Sequence, residues 1–317
     1  MKIVIPGGSG QVGTILARAF HRDGHDVVVL TRRVTPARWR SVQWNPRQSG
    51  DWAAEIDGAD VVINLAGRSV NCRYNAANRR EILESRTVSV RAVGEAIAAA
   101  RKPPAVWLQA STATIYAHRY DAPNDEATGI LGGAERDTPD TWRFSIDVAT
   151  AWEKAFDDVV TPRTRKVKMR TAMVMSPDAG GIFATLLMLV RRGLGGAAGD
   201  GRQYISWIHE VDFIRAVEFL IARDLDGAVN FSSPNPLPNR EFMATLLRVW
   251  GMPIGLPAAR WMLEIGAATI MRTETELVLK SRRVIPGRLL KEGFAFTYPD
   301  WASAAKELCA RARQPPY

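Results

Sequence analysis

Cysteine is almost missing from the chain: 317 residues contain two, Cys72 and Cys309. They cannot build a disulfide framework or a multi-thiolate zinc site, and no Cys-x-x-Cys pair occurs. A reducing cytoplasm is the simplest home for such a chain, and no metal site is expected. Long apolar runs are missing too. No window reaches the ~18 uninterrupted apolar residues that a spanning helix needs. The nearest, 254–271, is interrupted by Arg260 and Glu264, so it is expected to pack within a C-terminal lobe. The start, Met1-Lys2-Ile3-Val4-Ile5, runs into glycines without the apolar core and cleavage site of a signal peptide. There is no internal repeat, zinc finger, RNP-type motif or lysine-rich tail. Acidic residues are in deficit: 33 Asp and Glu face 42 Lys and Arg, a formal net charge of +9. Charge alone leaves nucleic acid, acidic membranes and phosphorylated ligands open as partners. With 46% hydrophobic and 24% charged residues the remainder is globular in composition, which excludes fibrous and disordered chains.

Apolar runs alternate with helical periodicity. Residues 2–5 read as a strand, 14–23 as a helix closed by Gly24, and 27–30 and 60–65 as strands. Residues 80–100 then predict a long helix, 105–110 a strand, 150–159 a helix and 166–175 a strand. Glycines crowd 180–201, 208–222 reads as a helix, 228–231 as a last strand, and the prolines of 233–238 mark a departure. The alternation predicts an α/β fold: a Rossmann-type doubly wound parallel sheet with a smaller C-terminal α/β lobe. The expected division is 1–176 with 207–231 for the sheet domain, and 177–206 with 232–317 for the lobe.

The first turn reads Gly7-Gly8-Ser9-Gly10-Gln11-Val12-Gly13. Glycines at 7, 10 and 13 match a turn in which one permits the tight bend, the next admits a pyrophosphate and the third lets helix pack on strand. The turn follows a strand and opens a helix, the context the motif requires. At the end of the second strand, where NAD sites place an acid, stand Thr31, Arg32 and Arg33. Guanidiniums suit a 2′-phosphate, so NADP(H) is expected; the other reading is a solvated arginine pair. Position supports the first. Residues 28–104 hold 13 Lys/Arg against seven Asp/Glu, whereas 105–150 hold three against seven. A local basic side beside an acidic stretch suits a dinucleotide better than a nucleic-acid backbone.

That turn, Asn64-Leu65-Ala66-Gly67 and Ser111-Thr112-Ala113-Thr114-Ile115-Tyr116 resemble extended short-chain dehydrogenases/reductases. Arg73-Tyr74-Asn75, Ser85-Arg86, Ser206-Trp207-Ile208-His209, Arg283-Val284-Ile285-Pro286 and Gly293–Pro299 look like their atypical epimerase-like branch. The resemblance spans nearly the whole chain. It implies a substrate role for the C-terminal lobe and a cofactor site using Thr31, Arg32, Leu65, Ala66, Gly67, Glu81, Arg86, Ser111 and Met173. An exposed helical pair is the alternative for Glu81 and Arg86.

The wider family works with Ser/Thr, Tyr and Lys: tyrosine moves the proton, lysine tunes it and the hydroxyl holds the oxygen. Thr112 matches the hydroxyl position. Counted back from Glu153, the Tyr and Lys places hold Ser145 and Ala149, and no Tyr-x-x-x-Lys occurs anywhere. Tyr116, His118 and Tyr120 lie just beyond the Thr112 strand, so Tyr116 is the candidate replacement beside Thr112; His118 is a surface residue on the plainer reading. His209 reads as a helix-start anchor or a substrate contact. Ile205 replaces an arginine that nucleotide-sugar epimerases use for a diphosphate, although Arg202 and Gln203 lie near. Two functions stay open: an NADP(H)-dependent oxidoreductase or epimerase-like enzyme acting on an unidentified small molecule, or a catalytically silent NADP(H) sensor. Neither nucleic acid nor membrane is expected as a partner. By fold analogy the helices at 80–100 and 144–159 are candidates for pairing a homodimer.

Overall fold

The computed structural model describes residues 1–48, 50–136, 138–258 and 279–314. In chain order the elements are β1 (Lys2–Pro6), α1 (Gln11–Arg22), β2 (Asp26–Thr31), β3 (Arg40–Gln43), β4 (Val61–Asn64), α2 (Ala76–Ala99), β5 (Val106–Thr112), α3 (Asp140–Asp157), β6 (Arg165–Thr171) and β7 (Met173–Met175). There follow α4 (Ile182–Arg191), β8 (Tyr204–Ile205), β9 (Trp207–His209), α5 (Glu210–Ala222), β10 (Gly227–Phe231), β11 (Leu237–Pro238), α6 (Asn239–Trp250), α7 (Gly287–Lys291) and α8 (Trp301–Ala312).

Seven strands form one parallel sheet in the order β10-β6-β5-β4-β1-β2-β3. Both faces are covered, which is why its strands read as continuous apolar runs. Along β1 and β2 the side chains alternate. Ile3, Ile5, Val27 and Val29 join Leu16 and Phe20 of α1 and Phe213 and Leu220 of α5. Val4, Val28 and Leu30 join Val90 and Val93 of α2 and Trp152 and Phe156 of α3. The chain turns back between β1 and β4, and open α/β sheets bind ligands at such a switch point.

The strand expected over 166–175 is two strands. Ala172 N–H donates to Phe231 O at 3.0 Å, then Met173 N–H to Ser206 O at 3.4 Å, so the backbone leaves the main sheet and β7 pairs with β9. The helices expected at 80–100 and 150–159 begin earlier. Asn75 caps α2 by accepting from Asn78 N–H at 2.9 Å, and α3 starts at Asp140. Within 208–222 the first residues belong to β9, and His209 caps α5 through Nδ1, which accepts from Val211 N–H at 3.1 Å. The glycine-rich stretch contains α4 after Gly181.

Phe183, Leu187, Trp207, Phe242, Trp301 and Leu308 form a second core, in which Phe242 and Trp301 stack 3.9 Å apart. Leu289 and Phe294 from the C-terminal part instead join the main-sheet core, so the two regions interleave. From residue 259 on, the helical expectation over 254–271 lies outside the described residues. Among the described residues no helix is long and apolar enough to cross a membrane, and no group of three or more His, Cys, Asp or Glu side chains could hold a metal ion.

Candidate active site

The first turn divides its labour among three glycines. Gly7 has φ +74°, and a Cβ there would stand 2.5 Å from Ala66 Cα; only glycine fits, in conformation and in space. A Cβ on Gly13 would meet Gly8 Cα at 2.4 Å, which packs α1 onto the turn. At Gly10 the nearest atom, Gly7 O, would be 3.8 Å away. The protein itself does not demand glycine there, as expected where a ligand's pyrophosphate approaches. Gln11 follows with a buried Nε2 that has no hydrogen-bond partner among the described residues, a donor suited to an anion. Val12 packs against the main core. The residues present therefore fit a dinucleotide.

From this turn a cleft of about 540 Å³ runs along the C-terminal ends of β1, β2 and β4, walled by Gly7, Ser9, Gly10, Thr31, Arg32 and Leu65, among others. Thr31 is buried and donates to Ser9 Oγ at 3.0 Å, tying the end of β2 to the glycine turn. Arg32 lines the cleft and forms no ion pair among the described residues; Arg33 is exposed beside it and is not part of the wall. Asn45 and Arg47, just beyond β3, supply further polar wall. They escaped the sequence reading because β3 carries too short a pattern to be noticed.

At the other end the Leu65-Ala66-Gly67 loop is set by a buried pair. Asn64 Oδ1 accepts from Ala66 N–H at 3.1 Å while its Nδ2 donates to Gln109 at 2.9 Å. Glu81 lines the cleft and forms an ion pair with Arg68. Arg86 lies behind Gly67, whose Cβ would be 3.3 Å from the Arg86 Cζ. Its Nη1 donates to the carbonyls of Arg68 and Ile82 at 3.0 and 2.9 Å, and the guanidinium sits over Trp152. Burial lowers it to about 10, so it stays cationic at neutral pH.

Beyond Gly67, Arg86 also walls a smaller cavity of about 120 Å³. Thr112, Ser145 and Ala149 line it together. The three positions that the family motif pointed to thus converge, although two carry other residues. Thr112 Oγ1 accepts from Thr114 N–H at 3.2 Å, which leaves its own proton to donate. Tyr74, Ile82 and Phe144 complete much of the wall.

Tyr116 requires a correction. It lies in the core, where its hydroxyl donates to Asn230 Oδ1 at 3.0 Å and accepts from Arg170 Nη1 at 2.9 Å, and burial raises its pKa. The Thr112 strand ends in a short 3-10 turn, which carries Tyr116 away from the cavity. Ser111 is corrected in part: its hydroxyl donates to buried Glu153 at 2.6 Å, and it lines neither the cleft nor the cavity. Met173 begins β7 and packs against the second core. His118 is half-buried, with Nδ1 accepting from Ser281 N–H at 2.8 Å; it lines a separate hollow with Tyr120 and Trp142. His209 is fully buried, with Nε2 2.8 Å from Glu307.

Residues 3–230 match the NAD dependent epimerase/dehydratase family, and residues 258–308 match DUF1731, a domain of unknown function. Epimerase family protein Mb2239 of Mycobacterium bovis is 31% identical over 299 residues, covering 93% of each chain. Epimerase family protein YfhF of Bacillus subtilis is 28% identical over 316 residues, 98% of each chain. The crystal structure of human epimerase family protein SDR39U1 with NADPH superposes with a TM-score of 0.84 at 27% identity, covering 98% of this chain and 99% of that one. The glycine turn, the strand order and matches along both parts of the chain place it in the NAD dependent epimerase/dehydratase family, in the atypical epimerase-like branch of extended short-chain dehydrogenases/reductases that carries DUF1731.

Proposed function

We propose that the protein is an NADP(H)-dependent, epimerase-like oxidoreductase that acts on a small carbonyl or hydroxyl compound in a reducing cytoplasm. One observation carries this reading: the cofactor-sized cleft, walled by Gly67, and the hydroxyl-lined cavity, walled by Arg86, lie on the two sides of the contact between these residues. A dinucleotide held along the first would bring its reactive end to the Gly67 side of that contact. Gly7, Ser9, Gly10, Gln11 and Gly13 receive the pyrophosphate, Thr31 and Arg32 the adenosine end, and Leu65, Ala66, Gly67, Glu81 and Arg86 the path between. The bound nicotinamide supplies or accepts the hydride. Thr112 donates a hydrogen bond to the substrate oxygen, and the apolar walls exclude water. NADP(H) binding by human SDR39U1 supports the choice of cofactor, as does the uncompensated Arg32.

The test is a fluorescence titration with NADPH and NADH, followed by absorbance loss of NADPH against pooled aldehydes, ketones and quinones. Equal affinity for the two cofactors overturns the NADP(H) preference. A second reading, a silent NADP(H) sensor, is favoured by Ser145 and Ala149 in the places of Tyr and Lys. Tight cofactor binding without turnover across broad pools would select it.

A further inference from the structure

We propose that Tyr74, reaching across from the loop before α2, moves the proton that α3 has no side chain to move. The proposal rests on the oxidoreductase reading above. α3 presents Ser145 and Ala149 to the cavity, neither a phenol nor an ammonium. Tyr74 lines the opposite wall, and its Oη lies 3.5 Å from Ser145 Oγ, at the outer limit of a hydrogen bond. The phenol therefore reaches the Ser145 side of the cavity, but is delivered from another element.

Its position is built rather than incidental. The Tyr74 carbonyl accepts from Arg79 Nε at 2.8 Å, and the next residue, Asn75, caps α2. The ring meets Phe144 edge-on, 5.0 Å between centroids, which ties it to the first turns of α3. Tyr74 is 8% exposed and lines this cavity, whereas the Tyr116 hydroxyl is held by Arg170 and Asn230 away from it. Thr112 contributes an O–H that donates to no partner among the described residues, and the same small space has room for the carbonyl end of a substrate. Arg86, in the same wall, places a cation where a phenolate would be left.

In the reducing direction the carbonyl carbon gains a hydride from the reduced nicotinamide, and the two C=O π electrons move to oxygen. That oxygen takes the proton of Tyr74, held meanwhile by Thr112. The products are an alcohol, the oxidised cofactor and a phenolate, which water reprotonates. Oxidation runs the same transfers backward.

The experiment uses the full chain and its Tyr74→Phe variant. First, NADPH binding to each is measured by fluorescence. Second, a crystal structure of the wild type with NADP+ is read for Tyr74 Oη and the nicotinamide C4, which should face one void, with a substrate oxygen able to sit roughly 3 Å from Oη. Third, turnover of NADPH with methylglyoxal, diacetyl and acetoin is compared. Tyr74→Phe should bind NADPH within about twofold of wild type and lose about 10²–10⁴-fold in kcat with little change in KM. Undiminished turnover in Tyr74→Phe, or a nicotinamide lying away from the cavity, overturns this proposal alone. Failure of the wild type to bind NADPH overturns the oxidoreductase reading and this proposal with it. If none of the three carbonyls is turned over, the position of the nicotinamide in the complex decides.

Discussion

Arg170 grips Glu153 with two parallel hydrogen bonds, Nε to Oε1 and Nη2 to Oε2, each 2.8 Å. Both residues are buried. Burial alone would raise the Glu153 carboxyl, but Arg170 and the Ser111 hydroxyl hold it below its usual range. Glu153→Leu leaves a buried cation without its anion and should cost about 3–5 kcal/mol. The double variant Glu153→Leu/Arg170→Met should regain much of that loss, because both desolvated charges are gone. Urea unfolding midpoints of the three proteins check it; equal losses in single and double variants would show that the pair is not the cause.

The glycines of the first turn should separate folding from binding. Gly7→Ala forces a Cβ into Ala66 at a left-handed φ and should destabilise by roughly 2 kcal/mol or more. Gly10→Ala, which meets no close neighbour, should stay within about 1 kcal/mol of wild type while NADPH affinity drops about tenfold or more. Thermal melts with and without NADPH distinguish the two.

Arg32→Ala should weaken NADPH by about 10–100-fold, as loss of a charge-assisted contact does, and leave NADH unchanged. Arg33→Ala, outside the cleft wall, should do much less. Paired titrations read both.

Tyr116→Phe should cost about 1–3 kcal/mol through the hydrogen bonds lost to Asn230 and Arg170. Unlike Tyr74→Phe, it should leave kcat on any reducible probe unchanged. A large kcat loss would return Tyr116 to the active site.

His118 and His209 each use Nδ1 to accept from a backbone N–H, Ser281 and Val211 respectively. Protonation would break those bonds, and burial lowers both pKa values, only partly opposed at His209 by Glu307. The unfolded chain therefore binds protons that the folded one refuses. Their contribution is complete above the unfolded value near about 6.5 and declines as pH falls from there toward each folded pKa. Melting temperature should fall between about pH 7.5 and 5.5, and His209→Gln should flatten that decline. An unchanged slope in both His209→Gln and His118→Gln would refute this assignment.

The main sheet was legible because both faces of its strands are buried, so 2–5, 27–30 and 105–110 carry dense apolar signals. The cofactor turn was legible because the spacing of its glycines follows from the turn itself, Gly7 and Gly13 by close backbone approach and Gly10 by room left for a ligand. β3, α4, α6 and α8 were not, since short or glycine-flanked segments take their order from tertiary contacts such as the Phe242–Trp301 stack. Tyr116 misled for a local reason: four residues from Thr112, it looked adjacent to the chemistry, but the 3-10 turn at 113–115 points it into the core. Tyr74 was visible in the Arg73-Tyr74-Asn75 motif, yet 71 residues separate it from Ser145. Only the packing of α2 against α3 closes that distance.

Leu289 and Phe294 complete the core under α5 and β10, with Phe294 edge-on to Phe219. During synthesis, then, the first 231 residues can pair every strand of the main sheet and lay α1 and α5 on this face, yet still leave the core beside β10 incomplete. The cofactor domain is finished by a segment translated some sixty residues later, so a ribosome stalled before Leu289 would hold a chain in which the apolar edge at Phe219 and β10 is still open to chaperones.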